Sequence, residues 1–269
     1  MWSIKAWRRR RYLARTHIDD ERWREVCAPL RLLEGLTRDE SHRLRDLTLL
    51  FLREKSIEAA GGLLLNESMR LTVAAQAALP ILHLGIDWYE GWHSVIVYPD
   101  RFIAEREEAD AAGVIHRLRA PLSGESWQRG PLVLAWPDIE AGGEPDGYNV
   151  VIHELAHKLD SLNGPADGYP PLHRSMSAEA WQAAFSGAYA DLAARIERGE
   201  PTRIDPYATY SPAEFFAVLS EVFFELPALV NNEYPEVFRQ LTLFYRQDPR
   251  ARAGATDEAH SGTQPEYWV

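Results

Sequence analysis

The sequence predicts an α+β fold, mainly helical, with a small mixed sheet and a helical N-terminal part. Three observations predict it. From Asp19 to about Leu82, apolar residues recur at spacings of three and four, the period of an amphipathic helix. Between Ser94 and Pro137 the texture changes to short aliphatic and β-branched runs bounded by Gly and Pro, as strands are. After Asp146 the helical spacing returns and continues to about Pro249.

Each element carries its own signal. DDERWREVCAPLRLLEGL has helical spacing in part, and TRDESHRLRDLTLLFLREKSI opens on Thr37 with Glu40 three residues on, a capping-box pattern. NESMRLTVAAQAALPILHLG is a further helix that stops before Pro80, because a ring there removes a donor and clashes with the preceding turn. SVIVYP and GPLVLAWP read as strands, with GVIHRLRAP a third. Asp146 or Asn149 opens the helix that follows, and Gly164 fits just past its end. SAEAWQAAFSGAYADLAARIERG is helical. SPAEFFAVLSEVFFELP has a Ser cap, Pro in the first turn and Pro227 as a stop. YPEVFRQLTLFYRQDP is the last helix. The tail from Arg250 is small and polar, and disorder is expected there. With no repeat or linker, residues 1–269 form one domain: a helical part to about 82, a core over 83–249 and a tail over 250–269.

Composition excludes several function classes. The only cysteine is Cys27, so an intrachain disulfide and a cysteine-rich metal site are both ruled out, and a cytoplasmic setting is expected. No run approaches the roughly 20 apolar residues of a membrane span, and the basic N-terminus lacks the apolar region of a secretory signal. No membrane association is expected. A net charge of −11 argues against a nucleic-acid partner, which would need phosphate neutralisation. The run Arg8 to Arg11 reads as a solvated helix end, with a local contact as the alternative.

Chemistry concentrates in VIHELAHKLDSLNG, Val151 to Gly164. On a helix, residues four apart share a face, so His153 and His157 can present imidazoles to one ion. Glu154 follows the first of them, where its carboxylate can take a proton from water activated by that ion. The competing reading is a core helix, with Val151, Leu155 and Leu159 inward and the histidines incidental.

A catalytic zinc needs a third protein ligand and an open position. Asp160, His173, Glu179, Glu214 and Glu221 lie downstream. Asp160, one turn past His157, suits a hydrogen bond to an imidazole better than ligation. Glu214 sits in a helix so apolar that its carboxylates need a reason. Ser211-Pro-Ala-Glu214 is also a capping box, so spacing leaves cap and ligand open. Glu221, two turns along the same face, is either a partner of a ligand or a competing ligand. His83 and His93 flank the aromatic block LGIDWYEGW and read as packing. His17, His42, His173 and His260 read as solvated.

Five blocks extend the pattern beyond the motif: LPILHLGIDWYEGWHSVIVYP, SGESWQRGPLVLAWPDI, NVVIHELAHKLDSLNG, IDPYATYSPAEFFAVLSEVFFELP and FYRQDP. In these the chain closely resembles the Mlc titration factor A family of bacterial zinc metallopeptidases, from the N-terminal helices to about Pro249. The HELAH helix and the Tyr…GluPhePheAla block are also similar to the catalytic domain of anthrax lethal factor. The resemblance implies a zincin-like fold, one Zn2+ per chain on His153, His157 and Glu214, and Glu154 as general base. It sets Tyr207 seven residues before Glu214, where a phenol donates to the developing oxyanion. Tyr210 is the alternative, and packing at the helix entrance is the other use of either ring. The family also places a zinc ligand at the position of His116. A fourth protein ligand would close the site at rest and make activation a conformational gate. An ordinary loop histidine is the other reading.

GPLVLAW is either the sheet edge along which such peptidases align an extended substrate or an ordinary central strand. Two functions are in view. The first is a zinc-dependent, aminopeptidase-like peptidase acting on short peptides. The second is a non-catalytic interaction factor that sequesters a Mlc-like transcriptional repressor and so regulates glucose phosphotransferase uptake, its zinc site structural or gating.

Overall fold

The structure, a computed structural model, describes residues 4–100, 102–109, 115–122, 124–126 and 130–253, with side chains described outside 101–129 and 253. In chain order the elements are α1 (Ile4–Leu13), α2 (Asp20–Cys27), α3 (Arg38–Glu54), β1 (Ser56–Ala59), α4 (Glu67–Ala78), β2 (Ser94–Tyr98), β3 (Phe102–Ala109), β4 (Ile115–Leu122), β5 (Gly124–Ser126) and β6 (Leu132–Ala135). There follow α5 (Trp136–Ala141), α6 (Val150–Asp160), α7 (Ala178–Glu197), α8 (Pro212–Glu225), α9 (Pro227–Glu233), α10 (Pro235–Tyr245) and α11 (Arg250–Ala253). The α+β expectation is met, and the sheet is mixed.

That sheet runs β1-β2-β6-β5, with β1, β2 and β6 parallel and β5 antiparallel. Its central strands are apolar, with one face fully buried and Ile96 and Val133 of the other half-buried. Val95, Val97, Leu132 and Leu134 are fully buried. β3 and β4 form a separate antiparallel pair.

Local signals place the helices. Thr37 and Glu40 close the capping box of α3, Asn66 caps α4, and Ser177 caps α7. The second half of α4, VAAQAA, is mostly Ala, and small side chains let it sit between α3 and α6. α8 is buried over every residue from Glu214 to Glu225, the mark of a helix enclosed on all sides. It packs on α6, α7 and α9.

The structure departs from the sequence reading in some places and sharpens it in others. Ser56–Ala59 lies inside the stretch read as helical but is a strand, pairing with β2 through Ile57↔Val95 and its neighbours. Only Ile57 of its four residues is buried, so no periodicity marks it. Of the two readings of GPLVLAW, edge and central strand, the structure shows the second: β6 pairs with β2 on one side and β5 on the other. α6 ends at Asp160 with Ser161 as its cap, so Gly164 lies beyond the helix end and does not terminate it. The expected tail begins too early, because Arg250–Ala253 is helical and Arg252 is buried, donating to Gln247 Oε1 at 2.6 Å. Residues 254–269 lie outside the described residues.

Candidate metal centre

α6 is set by Asn149 rather than Asp146. Its Oδ1 accepts from the Ile152 amide at 3.0 Å, satisfying a helix donor that has no partner within the helix. Its Nδ2 donates to Gln76 Oε1 at 2.9 Å, Gly142 O at 3.0 Å and Glu225 Oε1 at 3.1 Å. This fully buried cap fixes the helix in rotation. Val151, Ile152, Leu155 and Leu159 then face the core, while His153 and His157 are only partly buried. Gln76 was not singled out in the sequence, although a glutamine inside VAAQAA is itself a signal that something polar must meet it.

The other half of the site comes from the start of α8. Ser211 Oγ accepts from the Glu214 amide at 3.2 Å, so Ser211 caps the helix. The Glu214 carboxylate instead points at the histidines. Its Oε2 lies 3.0 Å from His153 Nε2 and 3.3 Å from His157 Nε2. The two Nε2 atoms are 3.2 Å apart. Ser211 does the capping, which leaves the Glu214 carboxylate to the two imidazoles.

These three atoms form a nearly equilateral triangle. A tetrahedral ion with bonds of about 2.0–2.1 Å has ligand–ligand edges of about 3.3 Å. Three lone-pair atoms packed this closely need a proton or cation among them. Two imidazoles and a carboxylate are also the donor set of an open, three-ligand metal site. The residues therefore fit a metal ion, and they are the one such His/Cys/Asp/Glu cluster among the described residues.

Glu221 sits behind His153. Its Oε1 is 2.7 Å from His153 Nδ1 and its Oε2 accepts from the Asn149 amide at 2.6 Å. It thus partners His153 through Nδ1 and is not among the three converging donor atoms. With Nδ1 donating to Glu221, Nε2 would be free to offer its lone pair to a metal at the triangle. Burial would pull the His153 pKa down, but the Glu221 and Glu214 carboxylates outweigh it and hold it well above its ordinary value. Burial likewise opposes ionisation of Glu214, and the two imidazoles overcome it, holding the carboxyl far below the usual range.

Asp160 does not meet an imidazole. Its Oδ2 accepts from the Gly168 amide at 2.8 Å. Gly168 has φ +79° and lies against the Pro212 carbonyl, which an added Cβ would approach to 2.5 Å. Asp160 therefore ties the end of α6 to the start of α8, and burial pushes its pKa up to about 6. His173 is not simply solvated: its Nε2 is 2.8 Å from Phe244 O and its ring stacks on Phe244.

Asp205 caps the short 3₁₀ turn Pro206–Thr209 and so presents Tyr207 at the site mouth. The Tyr207 ring is 6.2 Å from that of His153, and the Tyr210 ring stacks on Tyr207 at 5.9 Å. Both are exposed, at 40% and 54%. Glu154 is buried at 5% exposure on the same helix as the two histidines. His116 lies on β4 opposite Glu108, and its side chain falls outside the described residues.

A family model described as "Glucose-regulated metallo-peptidase M90" matches residues 4–246. The chain belongs to this family. Among its relatives, Mlc titration factor A of Klebsiella pneumoniae is 39% identical over 232 residues, covering 86% of this chain and 87% of the relative. Mlc titration factor A of Escherichia coli O9:H4 is 37% identical over 241 residues, covering 89% and 91%. The Yersinia enterocolitica protein of the same name is 38% identical over 233 residues, 86% of each chain. Membership of this metallopeptidase family and the triangle of donors are independent findings, and both point to a metal.

Proposed function

We propose that the protein is a zinc-dependent peptidase of zincin-like fold, with one Zn2+ per chain and aminopeptidase-like action on short peptides. The observation that carries this reading is the convergence of His153, His157 and Glu214. Zinc held there would supply Lewis acidity to the scissile carbonyl and the attacking water. Glu154 takes the proton from water as its oxygen bonds to the carbonyl carbon, and delivers it to the amine as the C–N bond breaks. The Tyr207 phenol donates to the oxygen that gains negative charge. Glu221 keeps His153 oriented, and Asn149 keeps α6 in register with α8. His116 is assigned as a further ligand that closes the site at rest, with the β3–β4 pair moving to open it. The catalytic core spans about 83–249, with β1 completing its sheet from the N-terminal part, and the setting is cytoplasmic.

A second reading has one specific observation in its favour, the name carried by the relatives. On it, the chain binds a Mlc-like repressor and so regulates glucose phosphotransferase uptake, with the metal site structural or gating. The two are compatible if partner binding opens or occupies the site. Metal analysis of the purified chain, joined to hydrolysis of a panel of fluorogenic aminoacyl and peptide substrates, separates them. One zinc per chain with chelator-sensitive hydrolysis supports the peptidase. One zinc per chain with no hydrolysis of any substrate favours the interaction factor.

A further inference from the structure

α1 is a surface helix whose N-terminal two turns expose apolar side chains among cations. A helix on a globular domain ordinarily turns its apolar stripe inward. None of the ten residues of α1 is buried, and it carries five basic side chains and no acidic one. Its inner face is held by charge. Arg9 pairs with Glu54 at 2.6 Å and Asp87 at 2.6 Å, and Lys5 pairs with Asp87 and Glu90. Arg53 donates to the Arg8 carbonyl at 2.9 Å and stands 4.6 Å from the Tyr12 ring. Tyr12 and Leu13, at the C-terminal end of α1, pack against the core, whereas the apolar residues of its first two turns face solvent. Ile4 is 71% exposed and Trp7 50%. Residues 4, 7, 8 and 11 share a face at helical spacing, so Ile4 and Trp7 lie beside Arg8 and Arg11. Arg11 stands 5.3 Å from the Trp7 ring, and Arg8, Arg10 and Arg11 are all exposed.

We propose that this face of α1 docks the protein on an anionic phospholipid surface. Arginine forks match phosphate oxygens, and tryptophan favours the boundary between headgroups and acyl chains. A basic face with an apolar pair inserted between the cations is the make-up of a helix that lies in that boundary. The net charge of −11 does not oppose it, because charges more than about 10 Å away are screened in physiological salt. A nucleic acid would use the arginines but would gain nothing from Ile4. The sequence reading expected no membrane, from the lack of a spanning segment. Among the described residues no helix is long and apolar enough to cross a bilayer, which leaves surface docking open. The proposal is independent of the metal site, and α1 contributes none of the residues placed there.

The test is flotation of the full chain with vesicles of phosphatidylcholine alone, or mixed with phosphatidylglycerol, at low and high salt. A short DNA duplex serves as the competing polyanion. The wild-type chain floats with the anionic vesicles at low salt and not with the neutral ones. Changing Arg8, Arg10 and Arg11 to Gln together lowers partition about a hundredfold, at roughly fivefold per charge. Ile4→Ser with Trp7→Ser lowers partition to the same vesicles at least tenfold, with the melting temperature unchanged because both side chains are exposed. Absence of flotation with anionic vesicles overturns the proposal. So does unchanged partition of the Ile4→Ser, Trp7→Ser chain. Binding to the duplex as tight as to the vesicles, and indifferent to the same pair of changes, shows a general polyanion patch and overturns it as well.

Discussion

His153 Nδ1 lies 2.7 Å from Glu221 Oε1, while Nε2 of the same ring lies 3.0 Å from Glu214 Oε2. One imidazole therefore joins two carboxylates of α8 that are two helical turns apart. The first meets the ring nitrogen that faces away from the donor triangle, and the second is a corner of that triangle. Replacing Glu221 with Ala strips the partner from Nδ1 and from the Asn149 amide. Such a loss costs about 10–100-fold in metal affinity. Titration with a competing chelator should show that drop, and Glu221→Gln should recover part of it.

Ser211 and Glu214 separate capping from ligation. Ser211→Ala should lower stability by about 1 kcal/mol and leave metal content unchanged. Glu214→Ala should abolish stoichiometric metal. Denaturant melts and metal analysis on both variants check this. Equal metal loss in the two would mean that the cap is what builds the site.

Tyr207→Phe keeps the ring beside His153 and removes only the hydroxyl. If the phenol meets the developing oxyanion, kcat should fall by about 10²–10³ with KM and metal content little changed. Tyr210→Phe should have little effect. Steady-state kinetics on the two variants distinguish the stacked pair.

Lys55 gives a pH signature away from the site. Its ammonium donates to Trp92 O at 2.6 Å and to Tyr89 O, 3.9 Å from the centre of the Trp92 ring. Burial pulls its pKa from 10.5 down to about 8. Between those values the unfolded chain holds a proton that the folded chain has released, so this group makes stability rise with pH. Relative to Lys55→Met, the stability of the wild-type chain should be flat below about pH 8 and increase between pH 8 and 10.5. Parallel stability curves would contradict the shift.

What could be read from the sequence was local. Thr37 with Glu40, and Ser211 with Pro212, state their caps within four residues, and His153 to His157 states a shared helix face. Glu214 lies 57 residues beyond His157, and nothing in its own neighbourhood separates a capping box from a ligand. Family resemblance favoured the ligand, and the structure places the carboxylate on the two imidazoles. The centrality of β6 was equally hidden, because a strand's neighbours are set by pairing across the chain and not by its own residues. β1 has one buried residue, too few to show a period of two. The buried cap network of Asn149, Gln76 and Glu225 spans three helix segments, and only its polar members within apolar runs hint at it.

On the proposed function, the triangle of donors serves hydrolysis with Glu154 as the base. Glu154→Gln tests it most directly, with metal content and peptide hydrolysis measured on the same preparations. The expected result is unchanged stoichiometric zinc, an unchanged melting profile and a fall in kcat of about 10²–10⁴. Full activity in Glu154→Gln, with zinc still bound, would contradict it.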